Sequence, residues 1–154
     1  MILLDTNVVS AVMLHRPDPA VLAWLDRLDP HQVWLPSLVV FELHNGAAVH
    51  PDANRRRHLE RQLNTLIDDL IQQHIAPLDA PAAQRAALLT AQRKAQGRPV
   101  DLRDTLIAGI ALAQQAQLAT RNVRHFNDTG LSLVNPFPKN AGFGLHDQET
   151  RKNG

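Results

Sequence analysis

Short apolar runs of three or four residues alternate along this chain with longer segments whose apolar residues recur at helical spacing, and that alternation leaves few folds open. Strand candidates lie at residues 1–4, at 32–35 just before Pro36, at 75–78, at 117–120 and at 131–134. Between them, residues 6–14 read as a helix stopped by His15-Arg16-Pro17. Asp18-Pro19 then opens a second helix, with Asp as the cap and Pro at its first position, carrying Val21, Leu22, Trp24, Leu25 and Leu28. Ser37 is expected to cap an almost wholly apolar, buried helix, Leu38-Val39-Val40-Phe41-Glu42-Leu43. Residues 52–73 carry the clearest periodicity, a stripe of Leu59, Leu63, Leu66, Ile67, Leu70 and Ile71. Helices over 80–95, ended by Gly97 and Pro99, and over 102–115 complete the pattern. Strands that alternate with helices form βαβ units, so the expected class is α/β with a parallel sheet covered on both faces.

Composition narrows the function classes. The 154 residues suit one domain that buries roughly two-thirds of its unfolded surface. A formal charge of +1 is too small to argue nucleic-acid binding, so any basic footprint must be local. The chain has no cysteine, which excludes disulfides, thiolate zinc sites and cysteine nucleophiles and is compatible with a reducing cytoplasm. No run approaches the ~18 apolar residues of a membrane span, and the N-terminus lacks the marks of a signal peptide. The expectation is a soluble cytoplasmic protein with no membrane association.

Function is carried by acids in places that suit a core. Ile2-Leu3-Leu4 ends in Asp5-Thr6-Asn7, which puts a carboxylate at the carboxyl end of the first strand, where open α/β sheets collect their ligands. Asp5, Thr6 or Asn7 could equally be a plain helix cap. Glu42 sits among Val39, Phe41 and Leu43, where an unpaired carboxylate is costly, unless it occupies a single solvated stripe. Asp104 shares a helical face with Ile107, Ala108 and Ala111 and so heads a buried stripe; its rival role is as a cap. Asp101, one turn earlier, suits an N-cap better than a second ligand. At the end of the 117–120 strand come Thr120-Arg121-Asn122 and then His125-Phe126-Asn127-Asp128. Oxygen groups from these four segments could converge, and clustered carboxylates repel one another unless a cation neutralises them. Oxygen donors without thiolates or a closely spaced His pair point to Mg²⁺ or Mn²⁺ rather than zinc.

The ordered set Ile2-Leu3-Leu4-Asp5-Thr6-Asn7-Val8, Ser37…Glu42-Leu43, Asp104 with Ile107-Ala108, and Leu118-Ala119-Thr120-Arg121-Asn122 with His125-Phe126 resembles the PIN-domain ribonucleases, in particular the VapC-type toxins of bacterial toxin–antitoxin pairs. The closing Leu133-Val134-Asn135-Pro136-Phe137 is similar to the end of the plasmid-stability branch. The resemblance spans residues 1–137. It implies a PIN-like three-layer α/β/α sandwich on a central, mainly parallel sheet of four to five strands. It also implies a Mg²⁺- or Mn²⁺-dependent endoribonuclease with Asp5, Glu42 and Asp104 as metal ligands. Where some relatives have Asp this chain has Asn122, and where many have an acid it has His125; the fourth position falls to Asn122, to Asp128 reaching back, or to a water. A homodimer, a cognate antitoxin that covers the site, and operator DNA bound through the antitoxin are implied as partners.

The inferred chemistry is metal-assisted hydrolysis of an RNA phosphodiester, leaving a 5′-phosphate and a 3′-hydroxyl. Thr6, Asn7 and Thr120 could fix the carboxylates or touch a phosphate. Arg98, Arg103, Arg121 and Arg124 are candidate holds on the RNA backbone, each weighed against an ordinary solvated charge, and the Arg55-Arg56-Arg57 run reads as a solvated face. Trp24 and Trp34 are assigned to the core. An aspartyl-phosphate phosphatase is set aside because the residue two places after Asp5 is Asn7 rather than Asp. A non-catalytic PIN-fold binding protein is the remaining alternative. Residues 138–154 are expected to form a flexible tail, or to dock through Phe143 and Leu145.

Overall fold

The computed structural model describes residues 1–138, so the tail expected over 138–154 lies almost wholly outside the described residues. In chain order the elements are β1 (Ile2–Leu4), α1 (Thr6–Met13), α2 (Pro19–Asp26), β2 (Val33–Pro36), α3 (Ser37–Ala48), α4 (Ala53–Thr65), β3 (Ile75–Ala76), α5 (Ala80–Ala95), α6 (Leu102–Ala113), β4 (Gln117–Ala119) and β5 (Leu133–Val134). All five strands are parallel and lie in the order β3-β2-β1-β4-β5. Leu3 stands beside Trp34 on one side and Leu118 on the other. The first three strands march one way from β1 and the last two the other, so the strand order reverses between β1 and β4. Right-handed crossovers then put α1 to α4 over one face and α5 and α6 over the other, the expected three layers. Among the described residues no helix is long and apolar enough to cross a membrane.

The core sits on both faces of these short strands: Leu3, Leu35, Leu118, Ile107 and Ile110 are fully buried. Against the sheet, α5 and α6 approach so closely that a Cβ on Gly109 would stand 2.5 Å from the Ala82 carbonyl oxygen and 2.8 Å from the Ala86 Cβ. Only glycine admits that spacing, and it fixes where α6 and its N-terminal residues lie.

Three helix expectations are corrected. Ser37 is the first residue of α3 rather than its cap; its hydroxyl accepts the Leu78 N–H, because Pro36 already fixes the extended entry. That helix is not buried all round, since Phe41 is 64% exposed. The stripe over 52–73 breaks at its end: a π turn over Leu66–Leu70, closed by Ile71 N–H to the Leu66 carbonyl, slows the rotation per residue. Ile71 is thereby buried and Leu70 turned outward. Trp24 and Trp34 pack against the core's edge, and the Trp34 ring stacks on His74 at 4.7 Å.

Candidate active site

Asp5 resolves the rivalry between cap and buried acid by being both. It ends β1, and one carboxylate oxygen accepts the Thr6 N–H at 2.8 Å, capping α1. The other accepts the Thr120 hydroxyl at 2.8 Å from the end of the neighbouring β4, and neither residue is exposed to solvent. The carboxylate is thus pinned at the reversal of strand order.

Glu42 enters from the second turn of α3 and is the least enclosed acid, its side chain 27% exposed. The Thr6 hydroxyl donates to it at 2.9 Å, so Thr6 alone binds two of the acids, Asp5 through its backbone N–H and Glu42 through its side chain. Asp104 lies in the first turn of α6. Asp101 is the cap there, accepting the Asp104 N–H at 2.9 Å, which leaves the Asp104 carboxylate free of capping. That carboxylate is 9% exposed, and its second oxygen lies at hydrogen-bond distance, 2.9 Å, from His125 Nδ1.

One guanidinium joins the three acids. Arg103 Nε donates to both oxygens of Glu42 at 2.9 and 3.0 Å, Nη1 to Asp104 at 2.8 Å, and Nη2 to Asp5 at 2.5 Å and to the Thr6 hydroxyl at 3.1 Å. Burial works to lower its pKa, but the hydrogen bonds and charges of Glu42, Asp5 and Asp104 outweigh that and hold it above the ordinary arginine value. Three carboxylates thus face one permanent cation, an arrangement that leaves net negative charge at the crevice.

The remaining site expectations divide. The Thr6 and Thr120 hydroxyls donate to the carboxylates of Glu42 and Asp5. Asn7 and Arg121 are linked by the Arg121 N–H donating to the Asn7 side chain at 3.2 Å, while the Arg121 guanidinium lies 3.8 Å over the Phe137 ring. Asn122 is exposed and gives its backbone N–H to the Thr120 hydroxyl at 3.1 Å. Asp128 does not reach back to the acids: Arg93 grips both its oxygens at 2.8 Å, and Arg98 stands 3.5 Å away. Arg93 holds the Asp128 carboxyl below its ordinary pKa by hydrogen bonding, against the opposing effect of burial. Arg103 was expected as a hold on RNA and lies instead inside the acid cluster. Sequence reasoning passed over Arg93, although it continues the buried stripe of Ala82, Ala86 and Leu89 on α5. It also passed over the role of His125, which no spacing announces.

Among the described residues no three His, Cys, Asp or Glu side chains stand close enough together to grip a metal as they are. The donor set nonetheless fits a hard divalent cation. It is all oxygen, drawn from three elements, anchored from behind by Thr6, Thr120 and Asp101, and already gathered around one positive group.

Residues 2–130 match the PIN domain family. The chain is 35% identical over 137 residues to VapC ribonuclease Y4jK of Sinorhizobium fredii, covering 89% of this chain and 98% of that protein. It is 33% identical to toxin FitB of Neisseria gonorrhoeae over 137 residues, covering 89% and 99%. The solved structure of FitAB bound to an IR36 DNA fragment matches with a TM-score of 0.81 at 32% identity, covering 88% of this chain and 95% of that one.

Proposed function

Because this chain belongs to the PIN-domain family, we propose that it is the toxin of a type II toxin–antitoxin pair, an endoribonuclease that hydrolyses RNA phosphodiester bonds with Mg²⁺ or Mn²⁺ bound by Asp5, Glu42 and Asp104. The observation that carries this reading is the convergence of those three carboxylates, from the end of β1, from α3 and from the start of α6, at the point where the strand order reverses. The ion, when bound, supplies an activated water at neutral pH and a charge for the phosphoryl oxygen.

The chain's own residues do the rest. Thr120 and the Thr6 N–H hold the two Asp5 oxygens in fixed directions, and the Thr6 hydroxyl holds Glu42. Asp101 sets the turn from which Asp104 projects, and His125 lies against the second Asp104 oxygen at the solvent side, its side chain 57% exposed. These contacts turn the three acids toward one another before any ligand arrives. In-line attack leaves a 5′-phosphate and a 3′-hydroxyl. The catalytic domain is taken as residues 1–137, acting in the cytoplasm.

The partner reading has the same support. FitAB, at 32% identity, was solved on DNA, and a cavity of about 360 Å³ opens beside Thr6 and Glu42 with Met13, Leu14, Leu43 and Leu59 in its walls. An apolar segment of a cognate antitoxin seated there would lie across the acids, with operator DNA bound through the antitoxin and this chain paired as a homodimer. Expression of the chain alone tests the toxin role: growth arrest relieved by Asp5→Ala is expected, and cells indifferent to the wild-type chain would count against it.

A further inference from the structure

Arg103 is placed as no RNA-holding surface arginine would be. Its Nε, Nη1 and Nη2 are all spent on Glu42, Asp104, Asp5 and Thr6. The guanidinium fills the space between the acids, and among the described residues no three of them are close enough to grip an ion as they stand; Mg²⁺, which needs its oxygens about 2.0–2.1 Å away, draws them together only once that space is vacated. Arg103 and a divalent cation therefore exclude each other. The acids are held from behind, with the Asp5 side chain fully buried, whereas Arg103 covers them with its side chain 31% exposed. Neighbouring Asp104 keeps its place through the Asp101 cap whether or not the Arg103 side chain swings away.

The geometry points to Arg103 as a built-in counter-ion: it bridges Asp5, Glu42 and Asp104 and offsets part of their charge in the metal-free protein, and it must leave them when the divalent ion binds. This rests on the metal-dependent reading of those acids. The ion then binds only the fraction of molecules in which the guanidinium has moved out, which weakens its apparent affinity by that fraction.

Calorimetric titration with Mn²⁺ of the wild type and of Arg103→Gln, Arg103→Lys, Arg124→Gln and Asp104→Asn tests the inference, together with thermal unfolding in EDTA and in Mn²⁺. Arg103→Gln is expected to bind Mn²⁺ about tenfold more tightly or better than wild type, because the competing state is gone. Arg103→Lys, which keeps the charge but cannot span three acids, should fall between. Arg124→Gln removes a nearby exposed charge that does not touch the acids, and its affinity should stay within about twofold of wild type. Arg103→Gln should also melt below wild type in EDTA and gain more from Mn²⁺. Equal or weaker Mn²⁺ binding by Arg103→Gln, with Asp104→Asn abolishing binding, overturns the counter-ion and leaves the metal site standing. If Arg103→Gln does not fold, the lysine variant decides by the same criterion. Failure of every protein to bind Mn²⁺ overturns the metal reading itself.

Discussion

Asp128→Asn removes one charge while keeping the shape of the side chain, at a place where the partner cannot escape to water. Arg93 is 4% exposed, and beyond its two bonds to Asp128 it donates to the Thr105 hydroxyl and the His125 carbonyl, both at 3.0 Å. It thus ties α5 to α6 and to the loop that presents His125 to Asp104. Breaking a buried ion pair from one side costs about 3–5 kcal/mol. The asparagine oxygen still accepts one bond, which argues for the low end, about 3 kcal/mol, or a fall in melting temperature of about 6–12 °C. The pH dependence has a definite sign. The folded pKa of Asp128 lies below its ordinary 3.8 because of Arg93. The ionised pair therefore contributes fully well above that value, and its contribution is lost as pH falls through the folded pKa. Below it, wild type carries a protonated Asp128, which resembles the amide. Urea unfolding followed by circular dichroism should show a wild-type advantage that is constant from about pH 7 to 5 and narrows below about pH 4. An advantage under about 1 kcal/mol at neutral pH, or one that widens on acidification, would refute this account of the pair.

Gly109→Ala gains about 1 kcal/mol of helix propensity but drives a methyl to 2.5 Å from a backbone oxygen. A net loss of about 1–2 kcal/mol is expected in denaturant melts, together with weakened Mn²⁺ binding as α6 shifts. Thr120→Val strips a hydroxyl from a buried carboxylate. It should cost about 1.5–3 kcal/mol in the same assay, and Thr120→Ser should recover most of that.

The two deepest acids were legible because strand and helix periodicities place them: Asp5 ends an apolar strand, and Asp104 shares the face of Ile107, Ala108 and Ala111. Glu42 was legible for a partly mistaken reason, since its helix is exposed at Phe41. What stayed hidden depends on where long side chains turn. Arg103 immediately precedes Asp104, and no period says whether its guanidinium bends inward over acids contributed from elsewhere in the chain. Asp128 looked like a candidate ligand because its true partner, Arg93, lies 35 residues earlier on α5. The π turn that rotates Leu70 outward likewise buries Ile67 and Ile71, and the helical period of the sequence alone does not announce it.

The central claim is that Asp5, Glu42 and Asp104 hold a divalent ion that cleaves RNA. Its most direct test is incubation of the purified chain with RNA in Mn²⁺ or in EDTA, with the ends of the fragments mapped and Asp5→Asn run alongside. The account predicts cuts bearing 5′-phosphates that appear with Mn²⁺ and vanish in EDTA and in Asp5→Asn. Intact RNA, or cleavage that persists undiminished in EDTA or in Asp5→Asn, would contradict it.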